Sequence, residues 1–226
     1  MNRYREKIKI DEEQLYGRLH IDGDSPADRL ARKLLPELKQ MAEENMNLQM
    51  CYLTGKKAFE TGIARADACE EQIICLVYGQ GNPEKILEEM YRQEKYLEAW
   101  LFDALLNLYV FQGAEQLTAQ IESLYEQKGF FLTECLTPGD GEIPLKRQKN
   151  LLFLMKKEEN LPVEINDGYM LKPEKSLLFA FGAKKNMERQ KNIRYCQQCH
   201  RKDCLFRMKN EAKEQSRKTA EEKNAI

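Results

Sequence analysis

Cys196, Cys199 and Cys204 stand in a C-x2-C-x4-C spacing within Tyr195-Cys196-Gln197-Gln198-Cys199-His200-Arg201-Lys202-Asp203-Cys204-Leu205-Phe206-Arg207, in a chain whose other cysteines are scattered singly. A two-residue gap lets successive thiolates curl around one ion, and a four-residue gap brings a third within reach through a short loop. Three sulfur ligands suit zinc or an iron–sulfur cluster. Arg194, Arg201, Lys202 and Arg207 flank them, and nearby positive charge favours the thiolate that binds metal. A fourth ligand is not specified: His200 adjoins Cys199 and would have to swing round, and Cys135, a substrate or a partner could serve instead. Three reduced surface thiols are the plainer alternative, because a three-cysteine match is weaker than paired CxxC motifs. A thiol-redox centre at Cys196-Gln197-Gln198-Cys199 would call for a surrounding βαβ pattern, which this polar segment lacks.

The elements that must carry such a tail lie upstream. A chain of 226 residues is long enough to bury a substantial core as one domain with an appended module. Its formal charge of -1 gives no global argument for nucleic acid or an anionic membrane. The ends differ: from Lys184 to Ile226 thirteen Lys/Arg face six Asp/Glu, so the tail is basic and the rest acidic. No apolar run approaches the roughly 20 residues of a membrane span, and Arg3, Arg5, Lys7 and Lys9 interrupt any signal-peptide core, so the expected location is cytoplasmic. Seven cysteines without an export signal then read as thiols or metal ligands, not as disulfides.

Along the chain, a short helix is expected at Asp11–Leu19, followed by a turn at Asp22-Gly23-Asp24. Ser25 should cap a helix with Pro26 at its first position and Leu30, Leu34, Leu35, Leu38 and Met41 on its apolar face, kinked or divided at Pro36. Leu48–Leu53 and Lys57–Ile63 read as a hairpin across Thr54-Gly55. Ile73–Tyr78 is a continuous apolar run ended by Gly79-Gln80-Gly81-Asn82-Pro83, the pattern of a buried strand entering a helix. No phosphate-loop motif follows those glycines. The strongest helical pattern has Leu97, Leu101, Ala104, Leu105, Leu108 and Phe111 on one face, widened by Trp100, Phe102 and Tyr109 as core, with a break expected at Gly113 and an end at Gly129. A strand at Phe130–Leu136, a turn-rich loop, a helix from Leu145 to Lys157, and a β-pair of Val163–Leu171 with Ser176–Phe181 complete the globular part.

Three segments in this order carry a family resemblance. They are Thr137-Pro138-Gly139-Asp140-Gly141-Glu142-Ile143-Pro144-Leu145-Lys146-Arg147-Gln148, the run from Ile165 through Met170-Leu171-Lys172-Pro173-Glu174-Lys175-Ser176, and the cysteine tail ending at Arg207. Together they resemble the activation domain of vitamin B12-dependent methionine synthase, in the form that stands as a separate polypeptide. The resemblance covers about the second half of the chain. It implies an α+β fold, a twisted antiparallel sheet with flanking helices, that binds S-adenosylmethionine beside a corrinoid. An electron donor reduces inactive cob(II)alamin, and the methyl donor traps the reduced cobalt. The implied ligand positions are Gly139, Asp140, Gly141, Pro144, Lys175 and Ser176; a tight turn and an exposed hairpin are the plain readings of the same residues. Where the family pattern has an arginine four residues before the loop glycine and a tyrosine directly after it, this sequence has Cys135 and Asp140.

The expected organisation is an activation-like domain over 1–183, a cysteine-rich metal-binding segment over 184–207 and a charged helical or disordered tail over 208–226. Two functional readings follow. In one, the protein is an accessory to a corrinoid-binding methyltransferase subunit, receives reducing equivalents from an electron donor, and positions S-adenosylmethionine for cobalamin carried by the partner. In the other, it is a non-catalytic scaffold whose zinc-held tail docks a partner protein. Neither reading involves nucleic acid or a membrane.

Overall fold

The computed structural model describes residues 1–185, apart from 5–7, 9, 11, 20, 22 and 57–58. In chain order its elements are β1 (Asn2–Tyr4), α1 (Glu12–Leu19), α2 (Pro26–Asn45), β2 (Asn47–Lys56), α3 (Ala64–Asp67), β3 (Glu71–Gln80) and α4 (Pro83–Arg92). They continue with α5 (Tyr96–Glu126), β4 (Phe131–Leu132), α6 (Arg147–Glu158), β5 (Glu164–Ile165), β6 (Leu171–Lys172) and β7 (Ser176–Lys184). Five strands form one antiparallel sheet in the order β1-β2-β3-β7-β4, and β5 and β6 make a separate two-stranded ribbon. This is the α+β class expected.

β3 lies at the centre and is covered on both faces, which is why Ile73–Tyr78 is apolar without alternation. Ile73, Cys75 and Val77 join Met50, Tyr52, Phe179 and Phe181 beneath α5 and α2. Ile74, Leu76 and Tyr78 join Cys51, Leu53, Leu178 and Ala180 beneath α3 and α6, where Ala66, Leu151, Leu152 and Met155 pack. Burial of these apolar side chains on both faces of β3 is a main favourable contribution to folding.

Several local expectations change. β2 and β3 pair over their whole length, Asn47 opposite Gln80 and Lys56 opposite Glu71, so β2 runs straight through Thr54-Gly55 instead of turning there. Gly55 is needed because a Cβ would lie 2.2 Å from Cγ of the Phe59 ring. Residues 59–63 form no strand: the Asp67 carboxylate gathers the Thr61 N–H (2.8 Å), the Thr61 hydroxyl (2.7 Å) and the Gly62 N–H (3.0 Å) into a tight loop before α3.

α2 continues through Pro36 without division. Its Ser25 cap forms, with Asp28 completing a reciprocal capping box. Pro36 is exposed, so water can satisfy the carbonyl that loses its helical donor. The buried stripe is Ala31, Leu35, Leu38 and Ala42, whereas Leu30 faces solvent.

α5 also runs unbroken, about 46 Å at the usual rise per residue. Gly113 does not end it. A Cβ there would meet Leu48 Cδ2 at 2.5 Å and Val77 Cγ1 at 3.2 Å, so the glycine lets the helix lie close on β2 and β3. Trp100 (43% exposed) and Phe111 (37% exposed) sit outside the core that Phe102 and Tyr109 enter. Finally, Val163–Leu171 is not one strand paired with β7. It folds back as the β5–β6 ribbon, and β7 instead joins β3, with Ser176 opposite Tyr78 and Ala183 opposite Glu71.

Candidate functional site

The outer edge of β7 positions the candidate loop. β4 covers only its far end, Phe131 opposite Lys184 and Leu132 opposite Ala183. Thr133 then grips Gly182 twice: its N–H donates to the Gly182 carbonyl, and its hydroxyl accepts the Gly182 N–H at 3.0 Å. Leu136 makes a last bridge to Ala180. The antiparallel sense therefore sends Thr137–Leu145 off the sheet edge towards the Ser176 end of β7.

Within that loop, Gly139 (φ 91°) and Gly141 (φ 53°) both occupy the left-handed region that glycine adopts without strain. The Gly139 N–H donates to the Ile143 carbonyl at 2.8 Å, and the Ile143 N–H returns to the Asp140 carbonyl at 3.0 Å. Asp140 is thus held at the tip of a closed turn. Partial burial holds its carboxyl above its ordinary pKa, against the opposing pull of the Gly141 N–H. Pro144 is exposed, and its carbonyl accepts the Arg147 N–H at the start of α6.

Cys135 turns inward, against the α5-side core. Its Sγ lies 3.6 Å from the Thr137 hydroxyl, and burial pushes the thiol up to about 11. At neutral pH it is an uncharged group, unable to make a forked pair with a carboxylate. Cys135 through Leu145 contains no Lys or Arg. The neighbouring Arg65 is paired with Glu134.

α6 links the loop to the later motif. Gln148 donates from Nε2 to the Tyr169 carbonyl at 3.0 Å, and Lys149 Nζ stands 4.8 Å from the centre of the Tyr169 ring. Tyr169 has φ 64°, held in a turn where Asn166 Oδ1 accepts the Met170 N–H at 2.9 Å. Ser176 donates its hydroxyl to the Pro173 carbonyl at 2.7 Å. Lys175 is only 8% exposed and reaches α5, donating to Asp103 Oδ1 at 2.5 Å and Asn107 Oδ1 at 2.9 Å. Gly139–Pro144 form one turn, Ser176 lies at the same end of the sheet, and Lys175 is committed to α5.

Asp103 and Asn107 were not singled out from the sequence. Their signal is two polar residues four apart inside the otherwise apolar stretch Ala99–Phe111 of α5. Cys196, Cys199 and Cys204 lie outside the described residues. Cys51, Cys69, Cys75 and Cys135 are free thiols. Among the described residues no group of three His, Cys, Asp or Glu side chains converges as a metal site. Among them also, no helix is long and apolar enough to cross a membrane.

No family model matches the chain, and no curated protein matches it. Solved structures do. A crystal structure of the MetH reactivation domain bound to AdoHcy matches 74% of this chain and 69% of that one, with a TM-score of 0.54 and 11% sequence identity. The likeness is one of fold. At 74% of the chain, the match in fold takes in more than its second half.

Proposed function

We infer that this protein is an accessory in the reductive activation of a corrinoid-dependent methyltransferase of the methionine synthase type. The supporting observation is a fold shared with the MetH reactivation domain, together with a two-glycine turn at the exposed edge of the sheet. AdoHcy, bound in that structure, is what remains of S-adenosylmethionine after methyl transfer. In this reading the donor supplies its methyl group to reduced cobalt in a cobalamin carried by the partner protein, and an electron donor provides the reduction.

The residues present suit one end of such a ligand better than the other. Asp140, at the tip of the turn, offers acceptors for ribose hydroxyls or for the cationic sulfonium and ammonium groups. Gly139 and Gly141 leave the backbone bare beside it, and Pro144 closes the turn into α6. Lys175 acts by fixing the start of β7 to α5, and Ser176 by closing the bend after Pro173. The ligand's carboxylate has no cation between Cys135 and Leu145 to receive it.

That neutral Cys135 favours a second reading, in which the scaffold persists without the methyl donor and serves as a docking protein. The cysteine tail bears on both. Cys196, Cys199 and Cys204 hold an iron–sulfur cluster that relays an electron in the first reading, or a structural zinc ion in the second. Titration of the full chain with S-adenosylmethionine separates the readings: micromolar binding supports activation, and no binding up to millimolar ligand supports the docking scaffold.

A further inference from the structure

We propose that the outer face of α6 docks an acidic amphipathic helix of a partner protein. At about 100° per residue, Lys146, Lys149, Lys156 and Lys157 all fall within about 60° of Phe153 around the helix. Lys146 precedes α6 but already has helical φ −55° and ψ −19°. All five side chains are exposed, Phe153 to 58%. The face begins directly after the two-glycine turn, because the Pro144 carbonyl receives the Arg147 N–H.

The charge on this face is of one sign. No acidic residue occurs between Lys146 and Lys157. The exposed acids nearest in sequence stand outside the arc: Glu142 precedes the helix, and Glu158 points about 140° away from Phe153. Glu164 lies on β5, and Asp167 in the turn after it. None of the four lysines forms an ion pair with a described carboxylate. A solvated helix face ordinarily mixes signs, since like charges three or four residues apart repel.

Aromatic rings organise these cations. Lys157 Nζ stands 4.5 Å from the centre of the Phe153 ring, and Lys149 Nζ stands 4.8 Å from that of Tyr169. Each ammonium is therefore held beside apolar surface, where a carboxylate is bound more strongly than in open water. Met170, 57% exposed, follows Tyr169 and adds an apolar side chain next to this face.

The layout selects the occupant. Two lysines stand on either side of Phe153, and the row from Lys146 to Lys157 is ~16 Å long. Its complement has carboxylates at both ends of an apolar residue over about three turns, which is one face of an acidic helix. An apolar centre within a charged rim is also the ordinary anatomy of a protein interface. The segment from Lys184 onward is not the complement, having thirteen Lys/Arg against six Asp/Glu. Residues 1–183 carry 31 Asp/Glu against 23 Lys/Arg, a balance that repels duplex nucleic acid.

The test is a calorimetric titration of the full chain, at about 50 mM salt, with a synthetic helical peptide of roughly 18 residues bearing Glu on both sides of a central Leu. The controls are the same peptide with Gln for every Glu, and a short DNA duplex. Saturable one-to-one binding of the acidic peptide below about 1 mM is expected, without comparable binding of either control. The quadruple substitution Lys146→Gln, Lys149→Gln, Lys156→Gln and Lys157→Gln should weaken it about tenfold or more, and Phe153→Ala several-fold. Both variants alter exposed side chains, so thermal unfolding should show the fold retained. Lys85→Gln with Lys95→Gln, exposed lysines on other elements, should leave the affinity unchanged. Absence of saturation, equal binding of the Gln peptide or of DNA, or unchanged affinity in the quadruple variant would overturn the proposal. Self-association of the chain that Phe153→Ala abolishes would overturn it in favour of a second copy on this face. None of these outcomes depends on S-adenosylmethionine binding.

Discussion

Lys175 Nζ lies 2.5 Å from Asp103 Oδ1, joining the first turn before β7 to the middle of α5 across 72 residues of sequence. The two ends are unequally buried, with side-chain exposures of 9% for Lys175 and 42% for Asp103. Removing one partner therefore differs from removing the other. Asp103→Ala strands a buried ammonium with Asn107 alone and should cost about 2–3 kcal/mol. Lys175→Met leaves a carboxylate that water can reach and should cost about 1 kcal/mol. Chemical denaturation of both variants checks this order; equal losses would show that the pair is not desolvated as described.

The sheet-facing glycine of α5 gives a packing prediction. Gly113→Val should destabilise by about 2–3 kcal/mol, since the added carbons meet Leu48 and Val77 within the two-sided core. Gly81→Ala should be at least as damaging: Gly81 has φ 142°, and a Cβ would lie 2.1 Å from the Asn45 carbonyl oxygen. Thermal melts of the two variants provide the check, and a stabilised Gly81→Ala protein would contradict the backbone placement.

Burial of thiols predicts an alkaline limb of stability. Cys51 and Cys135 are each pushed up to about 11 from an ordinary value of 9.0, mainly by desolvation. The folded state binds its proton more tightly than the unfolded one. This contribution is therefore complete below the unfolded value and is lost as pH rises from about 9 through 11. Near pH 10 each thiol should lower the folding constant roughly tenfold. Urea unfolding from pH 8 to 11 should show a shallower fall in Cys135→Ser than in the parent. Alkylation of native Cys135 at neutral pH should be far slower than that of a free cysteine.

The cysteine tail makes a compositional prediction. Protein purified without oxygen should contain iron and acid-labile sulfide, with visible absorption that bleaches on reduction, and Cys196→Ser, Cys199→Ser and Cys204→Ser should each abolish it. Stoichiometric zinc in a colourless protein would assign the tail a structural role. Protein free of both metals would leave three ordinary thiols.

How much of this was legible in the sequence depended on how local its cause was. Ser25, Pro26 and the apolar run Ile73–Tyr78 act through neighbours within a few residues, and their helix start and buried strand form as expected. Gly55 and Gly113 looked like a turn and a helix break. Their cause is a side chain arriving from elsewhere, Phe59 in one case and Leu48 with Val77 in the other, which periodicity does not register. Trp100 fits the spacing of the core face yet lies 43% exposed. The turn at Gly139 and Gly141 could be read from its composition. The commitment of Lys175 to Asp103 could not, because the partner lies on another element.

The most direct test of the proposed function is calorimetric titration of the full chain with S-adenosylmethionine and S-adenosylhomocysteine, repeated with Asp140→Asn. Saturable micromolar binding, weakened about fivefold or more by loss of the Asp140 charge while the fold is retained, is the expected result. No heat of binding up to millimolar ligand, or binding indifferent to Asp140, would contradict a methyl-donor site in the two-glycine turn.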